Sequence, residues 1–132
     1  MPARKPRDPQ PHGTDYEAVR RIALTLPGVE EGTSYGTPAL KVKGKFMARL
    51  QEDGETLVLR MNIFERPYVL EAEPDVFFIT DHYRDWPCVL LRLPAVTEPR
   101  LREAVVDAWR FVAPPKLVAA YDRDAAGASD AG

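Results

Sequence analysis

Between Ala39 and Met61 apolar and charged residues alternate with a period of two, a pattern that calls for an antiparallel sheet with one dry face and one wet face. Ala39 to Lys43 and Lys45 to Leu50 flank the tripeptide Lys43-Gly44-Lys45 and read as a hairpin. A third strand, Thr56 to Met61, follows the polar turn Glu52-Asp53-Gly54, with Leu57, Leu59 and Met61 pointing one way and Thr56, Val58 and Arg60 the other. Carried through the sheet, this parity sends Lys41, Lys43, Lys45, Arg49, Arg60 and Arg92 to one face. Leu40, Val42, Phe46, Leu57, Leu59, Leu91 and Leu93 go to the opposite one.

Helical spacing surrounds these strands. Thr14 and Glu17 form a capping-box pattern ahead of Tyr16, Val19, Ile22, Ala23 and Leu26, so a helix is expected over 15–26 before Pro27-Gly28 stops it. Gly32, Gly36 and Pro38 make the next segment turn-rich. Phe64 to Ala72 has helical composition, with Pro67 tolerable only in its first turn and Glu73-Pro74 at its end. Val76 to Ile79 and Cys88 to Leu93 supply two more strands. Leu101, Val105, Ala108, Trp109 and Val112 mark a long helix over 98–112, and Pro114-Pro115 separates it from a short last one, Lys116 to Tyr121. The class is α+β: two layers, a five-stranded antiparallel sheet with helices on one face, in the order α-β-β-β-α-β-β-α-α.

The 132 residues suit one domain with one core. Residues 1–13 hold four prolines and three basic residues and are expected to be a flexible arm, residues 14–122 the folded domain, and residues 123–132, rich in Ala, Gly and Asp, a disordered tail. No apolar run reaches membrane-spanning length, and the N-terminus is not signal-like, so a cytoplasmic protein is expected. The net charge is −2, and with both terminal segments removed the body carries −3, so any surface for nucleic acid has to be a local patch.

Candidate chemistry concentrates in two places. The six cations of the predicted wet face suit phosphate contacts, with Lys43 and Lys45 at a hairpin tip; the same residues also suit a plain solvated face that discourages edge-to-edge association. The connection Thr80 to Pro87 gathers His82, Tyr83, Arg84 and Trp86 with Asp81 and Asp85, a mixture used in small-ligand or phosphate recognition, and His82 oriented by Asp81 or Asp85 would suit acid–base work. The alternative is that Tyr83 and Trp86 close the core while Arg84 pairs with a carboxylate. Trp109 either lines a pocket against this loop or anchors its helix to the sheet, and burial suits it better.

Cys88 lies in an apolar run and reads as structural. His12 belongs to the arm, leaving His82 and Cys88 as the soft ligands of the body, short of a zinc set, so no metal and no cofactor are expected. Ser34 sits outside any Gly-x-Ser-x-Gly elbow, and neither a Walker sequence nor a Gly-x-Gly-x-x-Gly fingerprint occurs.

Three segments in order carry a family resemblance: Leu26-Pro27-Gly28 leading to Val42-Lys43-Gly44-Lys45-Phe46; His82-Tyr83-Arg84 with Trp86-Pro87 and Val89-Leu90; and Trp109-Arg110 with Ala113-Pro114. Together they resemble the MmcQ/YjbR family over about residues 15–121. The resemblance implies a compact secretion-chaperone-like or frataxin-like α+β fold and a DNA-binding role with hairpins acting as wings. A binding module is thus expected rather than an enzyme. It would take double-stranded DNA through Lys41, Lys43, Lys45, Arg49, Arg60 and Arg92, a protein partner in a chaperone-like manner, or a small molecule at His82, Tyr83, Arg84 and Trp86.

Overall fold

The structure, a computed structural model, describes residues 13–131. Most of the expected N-terminal arm, residues 1–12, lies outside the described residues. Helix α1 (Tyr16–Ala23) is followed by four strands, β1 (Val29–Ser34), β2 (Thr37–Val42), β3 (Lys45–Leu50) and β4 (Thr56–Arg60). Then come α2 (Arg66–Ala72), the two-residue β5 (Phe77–Phe78), a 3-10 turn at Asp81–Tyr83, β6 (Cys88–Arg92), α3 (Glu98–Val112) and α4 (Pro115–Ala131). The antiparallel sheet has the order β1-β2-β3-β4-β6-β5.

The α+β class and the one-sided helix layer match the sequence reading, but the sheet has six strands where five were expected. The extra one, β1, falls in the segment read as turn-rich. Its single aliphatic residue, Val29, gives no alternation, and its backbone bonds to β2 alone create it. Its exposed Glu30 and Glu31 leave a polar sheet edge.

The caps also move. Asp15, not Thr14, caps α1: its Oδ1 accepts from the Ala18 N–H at 3.0 Å. Thr14 instead donates both its N–H and its hydroxyl to the Leu93 carbonyl, each at 2.9 Å, fastening the start of the domain beside the end of β6. The expected tail after Asp122 continues as helix through Ala131, as the alanine-rich composition of 119–128 favours.

The main core lies between the sheet and helices α1 and α3. Val19, Ile22, Leu40, Val42, Met47, Leu57, Leu59, Val89, Leu91, Leu101, Val105 and Trp109 are all buried there. Trp109 is fully buried, and its indole N–H donates to the Pro27 carbonyl at 2.8 Å, so the anchoring reading is the correct one. Gly28 has φ of +77°, and a Cβ there would meet Leu117 Cδ1 at 2.9 Å, so glycine allows α4 to approach the turn after α1.

Candidate functional site: a cleft on the outer face of the sheet

Register decides what faces away from the helices. Between β2 and β3 the pairing slips at Leu40/Lys41: Leu40 opposes Ala48, but Lys41 opposes Phe46, so Met47 is the extra residue of a β-bulge. Met47 and Ala48 both enter the main core, and Phe46 is turned to the outer face, where strict alternation had not placed it. Across the sheet, Arg49 pairs with Val58, Val58 with Leu90, and Arg60 with Cys88. The outer face therefore carries a second, small apolar cluster of Val58, Cys88 and Leu90, flanked by Phe46, Phe78 and Tyr83, with cations set among it.

That cluster exists because the 80–87 connection folds back over it. The Tyr83 N–H bonds the Thr80 carbonyl and the Trp86 N–H bonds the Tyr83 carbonyl, each at 3.0 Å, winding the segment into successive turns. Arg66, at the first turn of α2, pins it: the buried guanidinium donates to the carbonyls of Trp86 at 2.8 Å, Cys88 at 3.0 Å and Arg84 at 2.5 Å. Three carbonyl acceptors engage its two terminal nitrogens without neutralising its charge.

Between this segment and the sheet opens a cleft of about 720 Å³, within the size range of small-molecule sites. Its floor includes Phe46, Val58 and Cys88, and its walls include Tyr35, His82, Tyr83 and Trp86. Lys41, Arg49 and Arg60 line it against one carboxylate, Glu52. Arg49 donates to Thr37 Oγ1 at 3.0 Å and to the phenol oxygen of Tyr83 at 3.1 Å, which leaves the phenol hydrogen free to donate onward. Glu52 stands 3.7 Å from Arg49 and is mostly exposed, a weak counterion. Arg60 donates to the carbonyls of Pro87 at 3.2 Å and Phe46 at 3.4 Å, and Lys41 forms no ion pair among the described residues. Burial pushes the Cys88 thiol up, against the pull of Arg66 and Arg60, so it stays a protonated part of the floor.

The structure thus divides the six predicted cations. Lys41, Arg49 and Arg60 line the cleft. Arg92 is on the same outer face but beyond it, with its guanidinium 4.1 Å from the centre of the Phe78 ring and donating to the Pro74 carbonyl. Lys43 and Lys45 are not on that face: Lys43 is in the turn at φ +51°, and Lys45 opposes Val42, whose side chain belongs to the helix-side core. Of the loop residues, His82, Tyr83 and Trp86 line the cleft, while Arg84 pairs with Asp81 outside it. Asp81 is engaged by Arg84, and among the described residues the His82 imidazole donates no hydrogen bond to Asp81 or Asp85. Tyr35 and Arg66 are not marked by alternation or composition, and alternation assigns Phe46 to the opposite face. The one usable signal was Tyr35-Gly36 between two short strands, a two-residue hairpin turn.

A second concavity of about 360 Å³ lies between α2 and α3, beside Asn62, Glu65, Asp107 and Phe111. Burial, reinforced by Glu65, pushes the Asp107 carboxyl up. Two of its three cations are already neutralised, Arg100 by Glu73 at 2.8 Å and Arg110 by Asp122 at 2.6 Å, and the third, Arg60, is shared with the larger cleft, so it offers less to a charged ligand.

Comparison with known proteins bears on the same region. Uncharacterized proteins of Mycobacterium tuberculosis and Mycobacterium bovis are 41% identical to this chain over 53 residues, which is 40% of this chain and 41% of theirs. The match therefore spans about two fifths of the curated relatives. The crystal structure of the Deinococcus radiodurans protein DR2400, described with the domain DUF419, superposes with a TM-score of 0.64 at 20% identity, covering 80% of this chain and 82% of that one, which establishes a shared fold. The family model YjbR matches residues 24–111, from the end of α1 into α3 and so across the entire sheet and the cleft it carries. By that match the chain belongs to the MmcQ/YjbR family.

Proposed function

We propose that the protein is a non-catalytic binding module whose outer-face cleft takes a small anionic ligand bearing a planar ring. One observation carries the reading: Lys41, Arg49 and Arg60 meet in a cleft with Glu52 as its one carboxylate, in a chain whose net charge is negative. Cations solvated by carbonyls and a phenol keep their charge for a ligand, and aromatic walls suit a flat ring. A duplex wing is less well supported, since Lys43 sits in the turn and Lys45 opposes Val42 on the helix-side face, away from the face that carries Lys41, Arg49 and Arg60.

The test uses the cleft's own indole. Trp86 is 62% exposed and Trp109 is fully buried, so a change in tryptophan emission on adding adenosine diphosphate reports on Trp86, with Trp86→Phe as the control. A saturable change that weakens with salt, and that is several-fold weaker in Lys41→Gln, is expected. No change at low salt, together with duplex DNA binding that is lost when Lys43 and Lys45 are both replaced by Ala, would overturn the proposal in favour of the hairpin.

A further inference from the structure

We infer that the ligand is two-ended: two planar rings joined by an anionic linker, the chemistry of a small dinucleotide. The inference rests on the cleft reading above and adds the ligand's shape.

Two exposed aromatic residues line the cleft, Tyr35 at 88% and Trp86 at 62% exposure. The strand register puts them at opposite ends. Tyr35 is the turn residue before β2, at the end of the sheet where Thr56 opposes Arg92; Trp86 precedes β6, at the end where Arg60 opposes Cys88. Those ends are four residues apart along β4, about 13 Å, and β2 and β6 are three strand spacings apart, about 14 Å. The two backbones are thus roughly 20 Å apart on the diagonal, too far to grip one ring from both sides.

The cations lie between them. Arg49 is nearer Tyr35, 5.4 Å from its ring centre, and Arg60 lies beside the Trp86 end, bonded to the Pro87 carbonyl and 5.1 Å from the ring centre of Phe111 in α3. The order across the cleft is aromatic, cation, cation, aromatic. A ring–phosphate–phosphate–ring ligand has the matching order.

The backbone at Tyr35 is the independent sign that its side chain is there for use. Ser34 opposes Thr37, leaving Tyr35-Gly36 as a two-residue loop with φ of +54° and +79°, the geometry that favours Asn-Gly. A tyrosine there adopts a left-handed conformation that bulky residues rarely take, and it stays almost wholly exposed, with the Arg49 guanidinium against its ring.

Calorimetric titration of the full chain with adenosine diphosphate and with diadenosine diphosphate tests this, because the two probes share both phosphates and differ by one adenosine. The two-ended probe is expected to bind about ten-fold tighter or better. Either Tyr35→Ala or Trp86→Ala should bring it down to the adenosine diphosphate value, and thermal melts would confirm that these exposed positions leave folding unchanged. Equal binding of the two probes would overturn the two-ended ligand and leave the cleft reading standing; binding of neither would overturn both. Affinity for oligothymidylate that climbs steadily beyond about four nucleotides would replace the small dinucleotide with a single strand.

Discussion

The two sides of the sheet treat their cations differently. On the helix side and its rim the arginines meet carboxylates: Arg20 with Glu31 and Glu17, Arg21 with Glu98, Arg100 with Glu73, Arg110 with Asp122. On the outer side, Arg60 and Arg66 bond backbone carbonyls and Arg49 bonds a threonine and a phenol with Glu52 a loose counterion at 3.7 Å, while the close pair of Arg84 with Asp81 lies outside the cleft. The first arrangement fastens helices and cancels charge. The second holds a loop in place and leaves charge in an open cleft, which stability alone does not require, because a carboxylate in the same positions would bind the cations more strongly.

The largest effect expected on this contrast comes from the helix side. Trp109→Ala removes a fully buried indole and its bond to Pro27, and chemical denaturation should record a loss of about 3–5 kcal/mol. A loss below about 1 kcal/mol would show that the helix layer is not what holds the sheet.

Arg66→Met probes the outer side. It leaves the carbonyls of Arg84, Trp86 and Cys88 without their donor and should cost about 2–3 kcal/mol. Hydrogen exchange should show the loosening concentrated in 80–87, with β3 and β4 still protected. Uniform loosening of the whole sheet would mean that the two sides are one cooperative unit.

Glu73→Gln is the smallest change, about 0.5–1 kcal/mol, since the pair with Arg100 is only partly buried. The Arg100 hydrogen bonds, outweighing burial, hold the Glu73 carboxyl below its ordinary value of 4.5. Its contribution is therefore complete above that value and is lost as pH falls through the lower, folded-state one. Urea midpoints measured between pH 6 and pH 3 should fall less in Glu73→Gln than in the parent; parallel curves would assign the acid sensitivity to other carboxylates.

Particular residues mark how far the sequence could be read. Leu57, Leu59 and Met61 were placed on the helix side by alternation alone, and Trp109 by helical spacing, because both patterns are local consequences of burial on one face. Phe46 was placed wrongly because one bulge residue reverses parity, and that bulge is a property of the β2–β3 pair rather than of either strand. β1 was missed because an edge strand held by backbone bonds needs no apolar pattern.

The candidate site divides along the same line. Alternation by itself put Lys41, Arg49, Arg60 and Val58 on one face, and composition by itself marked the segment containing His82, Tyr83 and Trp86. That these two sets enclose one cleft was decided by the tertiary structure: Arg66, which lies between them in the sequence and belongs to neither pattern, draws the 84–88 backbone onto the sheet with three hydrogen bonds. Periodicity encodes which way a side chain faces; what comes to lie over it depends on long-range bonds to backbone carbonyls, which every residue has and which therefore leave no mark in the sequence.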